Sequence, residues 1–77
     1  MSRGINNWTF NKISKFLLNQ DFSLSHTKGS HYFYTKITND SKKIVCIPRH
    51  NNKTIHPTTF NSIIKQSGID KKTWLGL

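Results

Sequence analysis

Apolar residues recur along this chain first at helical spacing, then at strand spacing, then at helical spacing again. Phe10, Ile13, Phe16 and Leu17 fall at three- and four-residue steps, with Gln20 continuing the row. That period predicts a helix from about Thr9 to Gln20. Thr9 suits its N-cap, and Trp8 is placed to staple onto Ile13 or a neighbour. Asn19-Gln20-Asp21 ends it. From Phe22 the period drops to two: Phe22 and Leu24 alternate with polar residues through Thr27, the pattern of a half-buried strand. Lys28-Gly29 supplies a turn. Ser30 to Ile37, rich in aromatic and β-branched residues, reads as a second strand. Thr38-Asn39-Asp40-Ser41 is turn chemistry. Lys43 to Ile47 is a third strand, closed by Pro48, which has no N–H for a ladder. The short connections make an antiparallel meander.

Arg49 to His56 reads as a polar loop. Pro57 suits the first turn of a second helix, whose stripe is Phe60, Ile63 and Ile64, with Ser67 one turn on. Gly68 is its C-terminal stop and Ile69 the apolar contact that goes with it. The tail, Asp70 to Leu77, carries Trp74, Leu75 and Leu77, and is expected either to form one more turn or to pack down. The order is therefore α-β-β-β-α, an α+β fold with both helices burying their stripes on one face of a three-stranded antiparallel sheet. The expected core is Phe10, Ile13, Leu17, Phe22, Leu24, Phe33, Val45, Ile47, Phe60, Ile63 and Ile64. In the run Tyr32-Phe33-Tyr34, Phe33 is assigned to the core and one or both tyrosines to the open face. A base-stacking role for the run is the weaker reading.

Seventy-seven residues are expected to form one domain, residues 1–77. A chain of this size buries only roughly 60–65% of its unfolded surface, so the core is small. The lone Cys46 excludes an internal disulfide, and it lies mid-strand with no base adjacent in sequence. No Cys/His spacing matches a structural zinc site. No apolar run is long enough to span a membrane. Met1-Ser2-Arg3-Gly4 lacks the apolar stretch of a signal peptide. The expected setting is a reducing cytoplasm, without membrane association.

Charge changes the picture most. Lys and Arg total 12 against 3 acidic residues, a net +9, and there is no glutamate. Such an excess points to a polyanionic partner: nucleic acid, an acidic protein or an anionic membrane. The lysines are spread along the chain rather than gathered on one amphipathic helix, which argues against the membrane.

Four histidines, His26, His31, His50 and His56, are the candidates for proton transfer, which cleavage of an RNA phosphodiester requires. Cations beside the linkage would stabilise the charge growing on the phosphorane. His31 stands out because it opens a strand beside Lys28 and Gly29. In a meander, the start of the second strand lies opposite the end of the third. That brings His31 and the Arg49-His50 pair to one end of the sheet. His26 and His56 read as solvated residues. No acidic cluster is available for magnesium and no His spacing favours a metal site, so no cofactor is expected.

Three segments give this chain a family likeness: Lys28-Gly29-Ser30-His31, Val45-Cys46-Ile47-Pro48-Arg49-His50, and Thr59-Phe60-Asn61-Ser62-Ile63-Ile64-Lys65-Gln66-Ser67-Gly68-Ile69. The element order resembles the double-stranded RNA-binding domain. The three segments, in order over about residues 10–69, resemble the HicA family of toxin ribonucleases. The resemblance implies a small, metal-independent toxin that cleaves mRNA, held inactive by a HicB antitoxin, with His31 at the position of the catalytic histidine. The departures are Cys46 where threonine is common, Asn61 where arginine is common, Asp21 in place of a frequent glycine, a longer turn around Asn39-Asp40-Ser41, and the tail with Trp74.

The sequence thus leads to a toxin ribonuclease in which His31 is the general base or acid. Lys28, Gly29, Ser30, Arg49 and His50 form the phosphate site, and Lys42, Lys43, Lys53 and Lys65 attract RNA less specifically. Two rivals remain: a non-catalytic double-stranded RNA-binding module, and a domain that binds an acidic protein. Against the first, Pro57-Thr58-Thr59-Phe60 lacks the lysine cluster with which such modules clasp phosphates.

Overall fold

The computed structural model describes residues 7–49 and 53–76. Helix α1 (Phe10–Asn19) is followed by strands β1 (Ser23–Lys28), β2 (His31–Ile37) and β3 (Lys42–Pro48), then helices α2 (Pro57–Ser67) and α3 (Lys71–Leu75). The strands form an antiparallel sheet in sequence order. The predicted α-β-β-β-α arrangement is thus present, with one short helix added from the tail.

Local chemistry explains the boundaries. The Thr9 hydroxyl accepts the Lys12 N–H and starts α1, satisfying one of the donors that a helix start leaves free. His56 does the same for α2, with Pro57 following at the first position. Gly68 ends α2 at φ +72° and Gly76 ends α3 at φ +73°, a conformation that disfavours any side chain with a Cβ. Asp21, ahead of β1, takes φ +72° as a non-glycine residue.

Both principal helices cover the same sheet face. Ile13 and Leu17 from α1, Phe60 and Ile63 from α2, and Val45 and Ile47 from β3 are buried together. The aromatic run lies opposite to the expected parity. Tyr34 is buried and shares a 2.6 Å hydrogen bond with Ser14 of α1. Tyr32 meets the Phe10 ring at 4.8 Å. Phe33 therefore points to the open face. The cause is register: Tyr34 pairs with Val45 and Tyr32 with Ile47, so the residues that face the helices on β3 draw the tyrosines with them. Leu24 is the other correction. It pairs with Tyr34 on the outer strand but is 48% exposed and outside the core.

Two parts of the core come from segments read as polar loop or undecided tail. Ile55 is fully buried, its N–H donating to the Trp8 carbonyl at 2.7 Å, beside a bridge between Thr9 and Thr54. Trp74 of α3 is also buried. It stacks on Phe16 at 4.0 Å and lies edge-on to Trp8 at 5.6 Å and Phe60 at 5.3 Å. Trp8 meets α1 as expected, edge-on to Phe16 with ring centres 6.2 Å apart. Ser67 anchors this end. Its buried hydroxyl donates to the Ile64 carbonyl at 2.7 Å and accepts from Ile69 N–H at 3.1 Å and Trp74 Nε1–H at 3.2 Å.

Candidate functional site

The site forms where the β1–β2 turn meets the end of β3. Lys28 and His31 are directly opposed and enclose Gly29-Ser30. Gly29 sits at φ +60°, with Ser30 outside the left-handed region, the order that a tight II′ hairpin turn requires. His31 pairs in turn with Pro48, and the Arg49 N–H donates to the Ser30 carbonyl at 2.7 Å. The Lys28-Gly29-Ser30-His31 block and the Pro48-Arg49 pair are therefore joined by backbone hydrogen bonds at one end of the sheet. The expected convergence of His31 and Arg49 is present. His50 lies outside the described residues.

The two side chains leave that end on opposite sides of the sheet. Arg49 Nη1–H donates to the Tyr32 hydroxyl at 2.9 Å, and its guanidinium lies over the Phe10 and Tyr32 rings at 5.3 and 5.6 Å. It is held on the helix side while staying exposed. His31, next to Tyr32 in the strand, projects from the open side by the alternation of the pleat, and it too is exposed. Lys28, directly opposite, shares its side. The imidazole is thus accessible at the rim, with one ammonium on its own face and one guanidinium across the edge.

The other histidines differ in kind. His56 Nδ1 accepts the Thr58 N–H at 3.2 Å, so the ring caps α2; it borders a small cleft of about 160 Å³ shared with Pro48, Lys53 and Ile55. His26 is exposed on β1 and stacks on Phe33, with ring centres 4.5 Å apart and planes 7° from parallel. Periodicity reading missed that pair, because a bulge changes which face His26 occupies.

Cys46 lies mid-strand, and burial pushes its thiol up from the usual cysteine range, which opposes thiolate formation. Its backbone N–H, on the outer edge of β3, donates to Gln66 Oε1 at 3.0 Å, so α2 seals part of that edge. Among the described residues no three His, Cys, Asp or Glu side chains cluster so as to hold a metal, and no helix is long and apolar enough to cross a membrane.

A basic α-β-β-β-α protein with an open histidine at the rim of its sheet is the class that fold and geometry define. The family model of the HicA toxin of bacterial toxin–antitoxin systems matches residues 10–69. The chain belongs to that family. Comparison with curated proteins and with solved structures gives no significant match.

Proposed function

We propose that this protein is a metal-independent endoribonuclease that cleaves mRNA and is neutralised by a HicB-type antitoxin. The observation that carries the reading is the placement of His31: exposed, at the end of a strand, opposed by Lys28 and joined through Ser30 to Arg49. An imidazole takes and gives protons near neutral pH. At this rim it reaches an RNA backbone without any rearrangement of the core. Lys28 on the same face neutralises the phosphate that His31 addresses, and Arg49 holds the strand where it passes over the edge. Their charges favour the phosphorane over the ground state, because negative charge accumulates in the transition state. Gly29 keeps the turn free of a side chain, so a phosphate can approach the backbone of Gly29 and Ser30. His50, next in sequence to Arg49, belongs with the phosphate-binding residues.

The whole chain acts as one unit in this reading, since Trp74, outside the matched segment, fills the core beneath α1 and α2. Expression of the chain alone in a bacterial host tests the function: growth should stop and mRNA should fragment, and co-expression of a cognate antitoxin should restore both. Undiminished growth with intact mRNA at the same protein level contradicts the proposal.

A further inference from the structure

We infer that the open face of the sheet stacks an unpaired RNA base on the His26–Phe33 ring pair, beside the linkage held at His31, so that the substrate is single-stranded. This rests on the ribonuclease reading above and specifies its substrate.

The β-bulge is the first support. Leu24 pairs with Tyr34, but His26, not Ser25, pairs with Phe33. In an unbroken ladder, Ser25 would face Phe33 and His26 would turn toward the helices. The extra residue re-aims His26 onto the open face, the kind of local adjustment that bulges make beside functional sites. Ser25 Oγ lies 3.2 Å from His26 Nδ1, which fixes the ring further.

The result is a nearly parallel pair of flat rings whose outer member, His26, is exposed. Its position matters as much as its geometry. The opposed pairs Lys28–His31 and His26–Phe33 are successive rows on the same face. They stand about 7 Å apart along the strands, within one nucleotide's reach. A phosphate at His31 therefore leaves its neighbouring base at the ring pair. Aromatic platforms bind any base through its π-face, provided the base is not already stacked in a duplex. A duplex offers no such base, so the platform selects single strands. The +9 charge supplies a complementary field for the backbone.

The test uses single-stranded RNA carrying 2-aminopurine, whose fluorescence falls on stacking, with a matched duplex as control. The proteins are the full-length wild type, His26→Ala and Phe33→Leu. His26 is exposed, so His26→Ala tests the stack without touching the core. Wild-type protein should quench the probe. Both variants should quench less and bind the single strand about 5- to 100-fold more weakly, while weak duplex binding stays unchanged. Quenching lost in the variants supports the inference even if no protein cleaves the RNA, in which case only the ribonuclease reading fails. Cleavage by all three proteins with undiminished binding and quenching in both variants overturns the inference and leaves the ribonuclease reading intact. Loss of antitoxin binding alone overturns it too, and gives the face to the protein partner.

Discussion

The backbone N–H of Arg49 donates a 2.7 Å hydrogen bond to the carbonyl of Ser30, and through that one bond the Lys28-Gly29-Ser30-His31 turn and the end of β3 become a single rim. Alternation along the strand then sends the His31 imidazole out of the open face while Arg49 folds back over Phe10 and Tyr32. Under the proposed function the two residues serve one RNA backbone from two sides of the sheet, with Lys28 as the cation on the imidazole's own side.

The proposed function gives Arg49 a phosphate contact in addition to its contacts with Tyr32 and Phe10. Arg49→Ala should lower RNA affinity and reduce the slope of log affinity against log salt by about 1, as expected for one lost phosphate contact. Arg49→Lys should keep the salt slope but lose the hydrogen bond to Tyr32 and the ring stacking, because an ammonium lacks the planar fork. Salt titrations of RNA binding and thermal melts of both variants check this.

Backbone strain is stored at Asp21, whose φ of +72° suits glycine. Asp21→Gly should stabilise the protein by about 0.5–1 kcal/mol. Gly29→Ala, at φ +60° with no atom within 4 Å of the added carbon, should destabilise by about 1 kcal/mol through conformation alone. Denaturant titration of the two variants measures the opposite signs.

The tail is a structural element. Trp74→Ala should destabilise by about 3–5 kcal/mol, a large share of the roughly 5–15 kcal/mol typical of a domain. Ser67→Ala leaves the Trp74 indole N–H and the Ile69 N–H without their partner and should cost about 1–3 kcal/mol. Denaturant midpoints would rank the two. Wild-type stability in a protein truncated after Ile69 would refute this account of α3.

How far these features could be read from the sequence depends on whether their cause is local. Thr9, Pro57 and Gly68 are cap signals with their own mechanism, and the helix boundaries followed them closely. The convergence of His31 with Arg49 needed only meander topology. Tyr32-Phe33-Tyr34 is different: three consecutive aromatics carry no parity, and pairing with Val45 and Ile47 decides which of them is buried. The Ser25 bulge is a sheet-level adjustment with no residue signal, so the sequence shows His26 as an exposed residue but not its stacking on Phe33. Ile55 sits among polar neighbours, and a bridge formed far away in sequence, at Trp8 and Thr9, is what buries it. A one-residue apolar insertion has no period to detect. Trp74 was visible as an apolar residue, but its partners Phe16, Trp8 and Phe60 are set by tertiary packing.

Cys46 should make stability sensitive to alkaline pH. Burial raises its thiol pKa in the folded state, so the fold favours the protonated thiol. That contribution is complete below the unfolded thiol's pKa and is lost as pH rises through the folded value. Wild type should therefore lose stability relative to Cys46→Thr between about pH 8 and pH 10, the range where ordinary thiols titrate. Paired denaturant titrations at pH 7 and pH 10 give the difference. Alkylation at neutral pH should also be slower in the folded protein than in denaturant.

The most direct measurement compares wild-type protein with a folded His31→Ala variant on single-stranded mRNA fragments in EDTA. The account predicts cleavage by the wild type, loss of about 100-fold or more in the variant, and retained binding of RNA and antitoxin by both. Equal cleavage by the two proteins would remove the imidazole from the chemistry and contradict the account.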